Sequence, residues 1–197
     1  MAKLTAPLLS LAASGQIGKA MVIFGWKGIQ VARQYVVPAN PKTTLQQIQR
    51  NRLDAAVDEW QGAAYTATDQ TAWNRFAGTL EKVMSGFNAM MRTHMAQAKL
   101  GNVWTRIYRG EFFDIEDDRF TVNIRKVSAG LAPNFRYGTS KTFMPNTKAC
   151  ADATGNVWWA LITPLTPNTV YYGYFDVGAS AATYGRTGIY QIKTVAA

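Results

Sequence analysis

One cysteine and one histidine in 197 residues remove most of the usual catalytic and metal-binding chemistry at the outset. With Cys150 alone there is no intrachain disulfide and no cysteine-based metal cluster. Any Ser/His/Asp relay would have to run through His94. That residue sits among Met90, Met91 and Met95 with no second His or Cys at ligand spacing, so it reads as a partly buried structural histidine. No nucleophile elbow is present. Gly15-x-x-Gly18-Lys19-Ala20 lacks the glycine spacing, the Ser/Thr after lysine and the preceding strand that a phosphate loop requires. No apolar run approaches the roughly 20 residues that a membrane-spanning helix needs. Lys3 followed by Pro7-Leu8-Leu9-Ser10-Leu11-Ala12-Ala13 resembles a signal peptide only faintly; with so short an apolar stretch behind Met1, a cleaved signal is not expected. These absences lead us to expect no enzymatic activity, no cofactor and no metal.

What is present is the composition of a folded protein: 48% apolar residues, 17% charged and 12% aromatic. Six Trp and nine Tyr favour cores and protein contacts. The net charge of +9 is uneven: residues 1–110 hold thirteen Lys/Arg against five Asp/Glu, whereas 111–197 hold eight against seven. An acidic partner for the first half, protein or nucleic acid, is one reading; solubility is the other. The basic residues are dispersed, without a dense Lys/Arg run.

Along the chain, Ala20–Phe24 and the alternating Ile29–Val36 predict two strands around Gly25-Trp26-Lys27-Gly28, whose glycines suit the positive φ of a hairpin. Pro38-Ala39-Asn40-Pro41 is a stiff connector. Thr43 and Thr44, each with a Gln three residues on, predict a capped helix to about Gly62, with Leu45, Ile48, Leu53, Val57 and Trp60 along one face. A second helix from Thr68 or Asp69 carries Trp73, Phe76, Ala77, Leu80 and Val83. A third follows Ser85 to about Gly101, its Met84, Phe87, Met90, Met91 and Met95 reading as bundle core. The three helices are expected to pack on the hairpin. From about 104 the helical period gives way to short strands at Phe120–Ile124, Phe135–Gly138, Val157–Ile162, Val170–Val177 and Gly188–Val195. The fold class is α+β, with a basic hairpin-plus-helical domain at 1–110 and an antiparallel β-sandwich at 111–197. The boundary falls between 100 and 118.

Two stretches resemble known families. Leu165-Thr166-Pro167-Asn168-Thr169-Val170-Tyr171 looks like the L-x-P-x-T-x-Y segment that leads into strand F of fibronectin type III domains. The resemblance implies that the Tyr171 hydroxyl bonds back to the upstream backbone, with Leu165 buried beneath it and Pro167 and Thr169 shaping the corner. The second stretch runs from Gly15-Gln16-Ile17-Gly18 through Trp26-Lys27-Gly28, Arg33-x-Tyr35-Val36-x-Pro38-Ala39-Asn40-Pro41-x-Thr43 and Gln46-x-x-x-Arg50, with Trp73-Asn74 and Ser85-Gly86-Phe87-Asn88 further on. It is similar to the opening of a group of proteins encoded among the structural genes of tailed bacteriophages and prophages. That resemblance implies a virion component, assembled in the host cytoplasm, and transfers no catalytic residue.

For partner binding, Trp26 and Lys27 at the hairpin tip with Arg33 and Tyr35 on one strand face form the leading patch, joined by Arg50 and Arg52 on the first helix. Core packing of the rings is the alternative. Cys150 reads as a loop thiol whose pKa Lys148 could lower slightly. The acidic run Glu111, Asp114, Glu116, Asp117, Asp118 fits no EF-hand spacing. It reads as a solvated linker, with a cation site or pairing to a neighbouring subunit's basic half as alternatives. The expected function is a virion structural protein, a capsid decoration or a neck or tail component, whose N-terminal half anchors while the sandwich projects. It would bind other virion proteins as a homo-oligomer or in many copies. Nucleic-acid binding through the basic half, or glycan binding through Trp158, Trp159 or Tyr172, are the other readings.

Overall fold

A computed structural model describes residues 2–4, 14–37, 39–62, 65–126, 131–180 and 183–197. The Pro7–Ala13 stretch and Pro38 of the connector lie outside the described residues. The chain divides into two compact units, Met1–Thr43 and Thr44–Ala197.

The first unit is an antiparallel sheet of β1 (Ala2–Leu4), β2 (Gly15–Ile17), β3 (Met21–Trp26) and β4 (Ile29–Gln34), in the order β1-β4-β3-β2. β3 and β4 close on a two-residue turn in which Lys27 and Gly28 have φ of 48° and 77°. Positive φ at both central positions is the hairpin geometry that matches strand twist. The turn therefore uses Lys27 with Gly28, and Gly25 sits inside β3 instead of in the turn. Gly18, at φ 52°, belongs to the turn between β2 and β3, so the Gly15–Gly18 segment is a hairpin and not a phosphate loop. Among the described side chains of this unit, Ile23, Val31 and Ala32 are buried.

The second unit opens with α1 (Thr44–Gln61), α2 (Ala67–Ala77) and α3 (Gly86–Lys99). Thr66 caps α2 reciprocally with Asp69, and Ser85 caps α3 through the Asn88 N–H. α2 is shorter than its apolar stripe predicts: it ends at Gly78, and Val83 beyond it is fully exposed. α1 departs further from expectation. Only Ala56 of this helix is buried, while Leu45, Ile48 and Leu53 face solvent. Its C-terminal turns pack on α3, where Trp60 meets Phe87 edge-on at 5.5 Å.

Ten strands follow: β5 (Val103–Trp104), β6 (Ile107–Phe113), β7 (Phe120–Lys126), β8 (Asn134–Gly138), β9 (Asn146–Ala149), β10 (Ala151–Thr154), β11 (Val157–Ile162), β12 (Val170–Ser180), β13 (Thr183–Arg186) and β14 (Tyr190–Lys193). One sheet has the order β10-β11-β7-β6; the other runs β5-β13-β12-β8-β9, with β14 also on β12. This is the strand order of immunoglobulin-like sandwiches, four strands facing a C-F-G group. A shared core joins the sheets: Phe120, Val122, Ile124 and Ile162 from one, Phe135, Phe175, Val177 and Ile192 from the other. Buried Cys150 separates β9 from β10, and here the chain leaves one sheet for the other.

The helices belong with this sandwich and do not form a separate N-terminal domain with the hairpin. The division falls at Thr43/Thr44, far from residue 110, and β6 already begins at Ile107. The reason is a buried carboxylate. Asp69 is 2% exposed. Its Oδ2 accepts from the Thr66 N–H and hydroxyl and from the Arg109 N–H at 2.8, 2.9 and 2.9 Å. Its Oδ1 accepts from the Gly110 N–H at 3.2 Å and the Tyr190 hydroxyl at 2.5 Å. A bulge between Tyr108 and Glu111, with Arg109 at φ 55°, turns those two amides toward the helix. At Gly110 a Cβ would lie 2.4 Å from the Tyr190 ring. Burial, reinforced by Asp69, pushes the Tyr190 phenol far up, so it stays protonated and donates.

Asp69→Ala leaves these donors buried without an acceptor, at about 1–3 kcal/mol for each one that water does not reach. We expect a loss of roughly 3 kcal/mol or more, a drop in Tm of about 6–12 °C. Asp58→Ala on the exposed side of α1 is expected to stay within about 0.5 kcal/mol of the parent. Equal melting curves for the two variants would refute the latch.

Candidate interaction surfaces

In the first unit, register places Trp26 opposite Ile29, Phe24 opposite Val31 and Val22 opposite Arg33, so these side chains share one face. Trp26 is 55% exposed and Ile29 42%. The Arg33 guanidinium lies 5.3 Å from the centre of the Phe24 ring. Lys27 is at the exposed tip. Tyr35 follows the end of β4, half-buried, its N–H donating to the Ala20 carbonyl. Residues 1–43 contain five Lys/Arg and no Asp or Glu. Arg50 and Arg52 belong to α1 of the second unit, the first exposed and the second half-buried.

In the sandwich, Tyr171 is 7% exposed and its hydroxyl accepts from the Thr166 N–H at 2.9 Å. Leu165 packs half-buried against the core. Thr169 donates its N–H to Thr194 Oγ1 and its hydroxyl to the Pro167 carbonyl, both at 2.9 Å. Thr194 in turn donates to the Thr166 carbonyl at 2.7 Å. These bonds tie the loop before β12 to the segment after β14.

The titratable groups differ from their sequence-based roles. Cys150 is not a loop thiol beside an activating lysine; burial at the sheet crossover pushes it up to about 12, against a small opposing pull from the Phe135 backbone. His94 is buried, tilted against Trp104 at 5.1 Å, with no hydrogen-bond partner for Nδ1 among the described residues. Burial lowers its pKa. Lys126, 1% exposed, donates from Nζ to the Leu131 carbonyl beneath the Trp158 ring, and burial lowers it as well. Glu116, Asp117 and Asp118 bring carboxylate oxygens within 4.8 Å of one another, but Glu116 and Asp118 already face Arg119 at 2.6 and 3.9 Å.

Of the rings considered for glycan contact, Trp159 is exposed, Trp158 packs on the core and Tyr172 lies 5.5 Å under Lys141. Sequence reasoning missed Arg186, held between Phe76 and Tyr174. No local spacing relates those three residues; only the docking of α2 on the sandwich does.

No protein-family model and no curated protein matches this chain. Among solved structures it is similar to a fibronectin type III domain derived from a human protein, at 13% identity and TM-score 0.32, covering 51% of this chain and 77% of that one. It is also similar to PhoD (17% identity, TM-score 0.37, 45% of this chain and 19% of that). A third similarity is to astrotactin-2, described as a vertebrate-specific, perforin-like membrane protein (6% identity, TM-score 0.38, 61% and 31%). The chain thus spans less than a third of the length of PhoD or of astrotactin-2.

Two measurements probe the buried groups. A thiol held near 12 is neutral across the ordinary range, so native protein is expected to leave Cys150 unlabelled by a thiolate-selective reagent at about pH 8, with full labelling in denaturant. Fast native labelling would contradict its burial. For His94 the folded pKa lies below the unfolded value of about 6.5, so protonation favours the unfolded chain. Its contribution is complete above about 6.5 and is lost as pH falls toward the lower folded value. Denaturant melts at about pH 7.5 and 5 are expected to show that decline, and His94→Leu to flatten it; an unchanged slope in the variant would assign the decline to other groups.

Proposed function

We propose that this chain is a structural component of a tailed-bacteriophage virion, a capsid decoration or a head–tail neck or tail-associated protein. Its N-terminal sheet binds other virion proteins and the sandwich serves as a stable module for further contacts; it does no catalysis. The observation that carries this reading is the first unit itself. Among its described residues this 43-residue unit of short strands buries few side chains, and units near that size usually need a partner, a metal or cross-links to be stable. This one has no cysteine and leaves Trp26, Ile29, Val36 and Val37 exposed. Such a surface is completed by another macromolecule. The resemblance of residues 15–95 to phage structural proteins names the class of that partner. Repetition on a symmetric particle would multiply a modest single affinity.

Charge favours a second reading. Five cations and no anion in the first unit would also suit a nucleic-acid phosphate backbone.

Sedimentation of the chain with purified particles separates the two. We expect co-sedimentation that persists when salt is raised from about 50 to 200 mM, and Trp26→Ala to raise the half-saturating concentration by roughly 30-fold, the scale of an aromatic hot spot. Duplex DNA binding that falls about tenfold or more over the same salt step, with no particle association, would replace the virion reading by the nucleic-acid one.

A further inference from the structure

The second unit holds a cleft of about 460 Å³ between the end of α2, the loop after β8 and the β12–β13 edge. Arg186 forms its charged wall. The guanidinium carbon lies 4.0 Å from the Phe76 ring centre and 4.3 Å from that of Tyr174. Both rings lie within cation–π distance of the group, whose N–H donors point outward in the guanidinium plane. Nε is buried without a hydrogen bond, so the two rings, together with a side-chain hydrogen bond to Tyr184, set this side chain.

The local charge is not neutralised. Asp176 stands opposite Arg186 in the β12–β13 register, yet it is held by Arg136 at 2.7 Å. Among the described residues Arg186 is in no ion pair. Exposed Lys141 lines the same cleft, so three cations stand near one carboxylate.

The hydroxyls select among anions. Thr79 spends its proton on the Phe76 carbonyl at 2.7 Å, and Thr142 shares one with Ser140 at 3.2 Å. Thr79 is thereby left as an acceptor, while either hydroxyl of the Ser140–Thr142 pair can donate to the other. Sulfate brings only acceptors at neutral pH and inorganic phosphate at most two P–O–H donors, whereas a sugar acid brings a planar carboxylate for the guanidinium edge and several hydroxyl donors for the threonines. The volume is in the range of small-ligand sites.

We propose that this cleft binds an acidic monosaccharide unit, its carboxylate on Arg186 and Lys141 and its hydroxyls on Thr79 and Thr142. The site lies wholly in the second unit and does not rest on the virion reading. The test is an NMR titration of the full chain with glucuronate, with glucose, inorganic phosphate and an acidic peptide as comparisons. Saturable shifts at Lys141, Thr142 and Arg186 are expected with glucuronate at a Kd below roughly 10 mM, and at least tenfold weaker effects from the other three. Arg186→Gln should abolish the shifts. Lys141→Gln, at an exposed position that leaves folding intact, should weaken binding by about five- to tenfold. No saturable shift, equal binding in Lys141→Gln, or phosphate or peptide binding as tight as glucuronate would each overturn the proposal.

Discussion

Asp69 holds the second unit together in a way that no single element could. Its carboxylate starts α2 through Thr66, and the same two oxygens take amide protons from the bulge of β6 and the phenol proton of Tyr190 on β14. Helix start, strand bulge and last strand thus converge on one ion. A buried carboxylate is tolerable only when its lone pairs are filled, and here neutral donors fill them without a counter-charge. The arrangement also dictates neighbouring sequence. Gly110 leaves room for the Tyr190 ring, and at Gly188 a Cβ would lie 2.2 Å from the Ala72 backbone. The last strand is broken between Arg186 and Tyr190 because the helix occupies that place: the Ile189 N–H donates to the Ala72 carbonyl, and Arg75 donates to the Ile189 carbonyl.

What local chemistry controls was legible in the sequence. The Ser85 cap and the strands at Phe120–Ile124 and Val157–Ile162 follow from hydrogen-bonding capacity and period alone. Long-range contacts were not legible. Thr68 and Asp69 predict a helix start but say nothing of Arg109 or Tyr190, which lie 40 and 121 residues from Asp69. Placing the boundary near 110 followed the change from helical to strand period, yet secondary-structure type does not decide which elements share a core. α1 shows the same limit. Its Leu45, Ile48 and Leu53 make an apolar stripe that this chain leaves exposed, so periodicity identified the helix and not what covers it.

The first unit carries the candidate patch, and there the division is again between local and distant causes. Turn chemistry and alternation put Trp26, Lys27 and Arg33 where the sequence suggests, with Lys27 itself adopting the positive φ. That Arg33 lies beside the Phe24 ring depends on cross-strand register, which pairs Val22 with Arg33 and Phe24 with Val31. A sheet with exposed rings and cations of one sign gains little by folding alone; burial of Trp26 and Ile29 against a complementary surface would supply what its own interior lacks.

The break in the last strand links fixation of the helix to the Arg186 cleft. Phe76 lies one helical turn beyond Ala72, on the stretch of α2 that Ile189 bonds, and Arg186 is the final residue before the break. Docking the helix at the break therefore brings the Phe76 ring onto the guanidinium, while β12 supplies Tyr174 from the other side. An arginine on an uninterrupted sheet edge would lie along the strand with its donors in water. Clamped between two rings beside a strand gap, it keeps its charge fixed in a concave place at little conformational cost on binding. The cleft is thus a by-product of the Asp69 latch: loosening α2 would remove one of the two rings and with it the orientation on which carboxylate recognition rests.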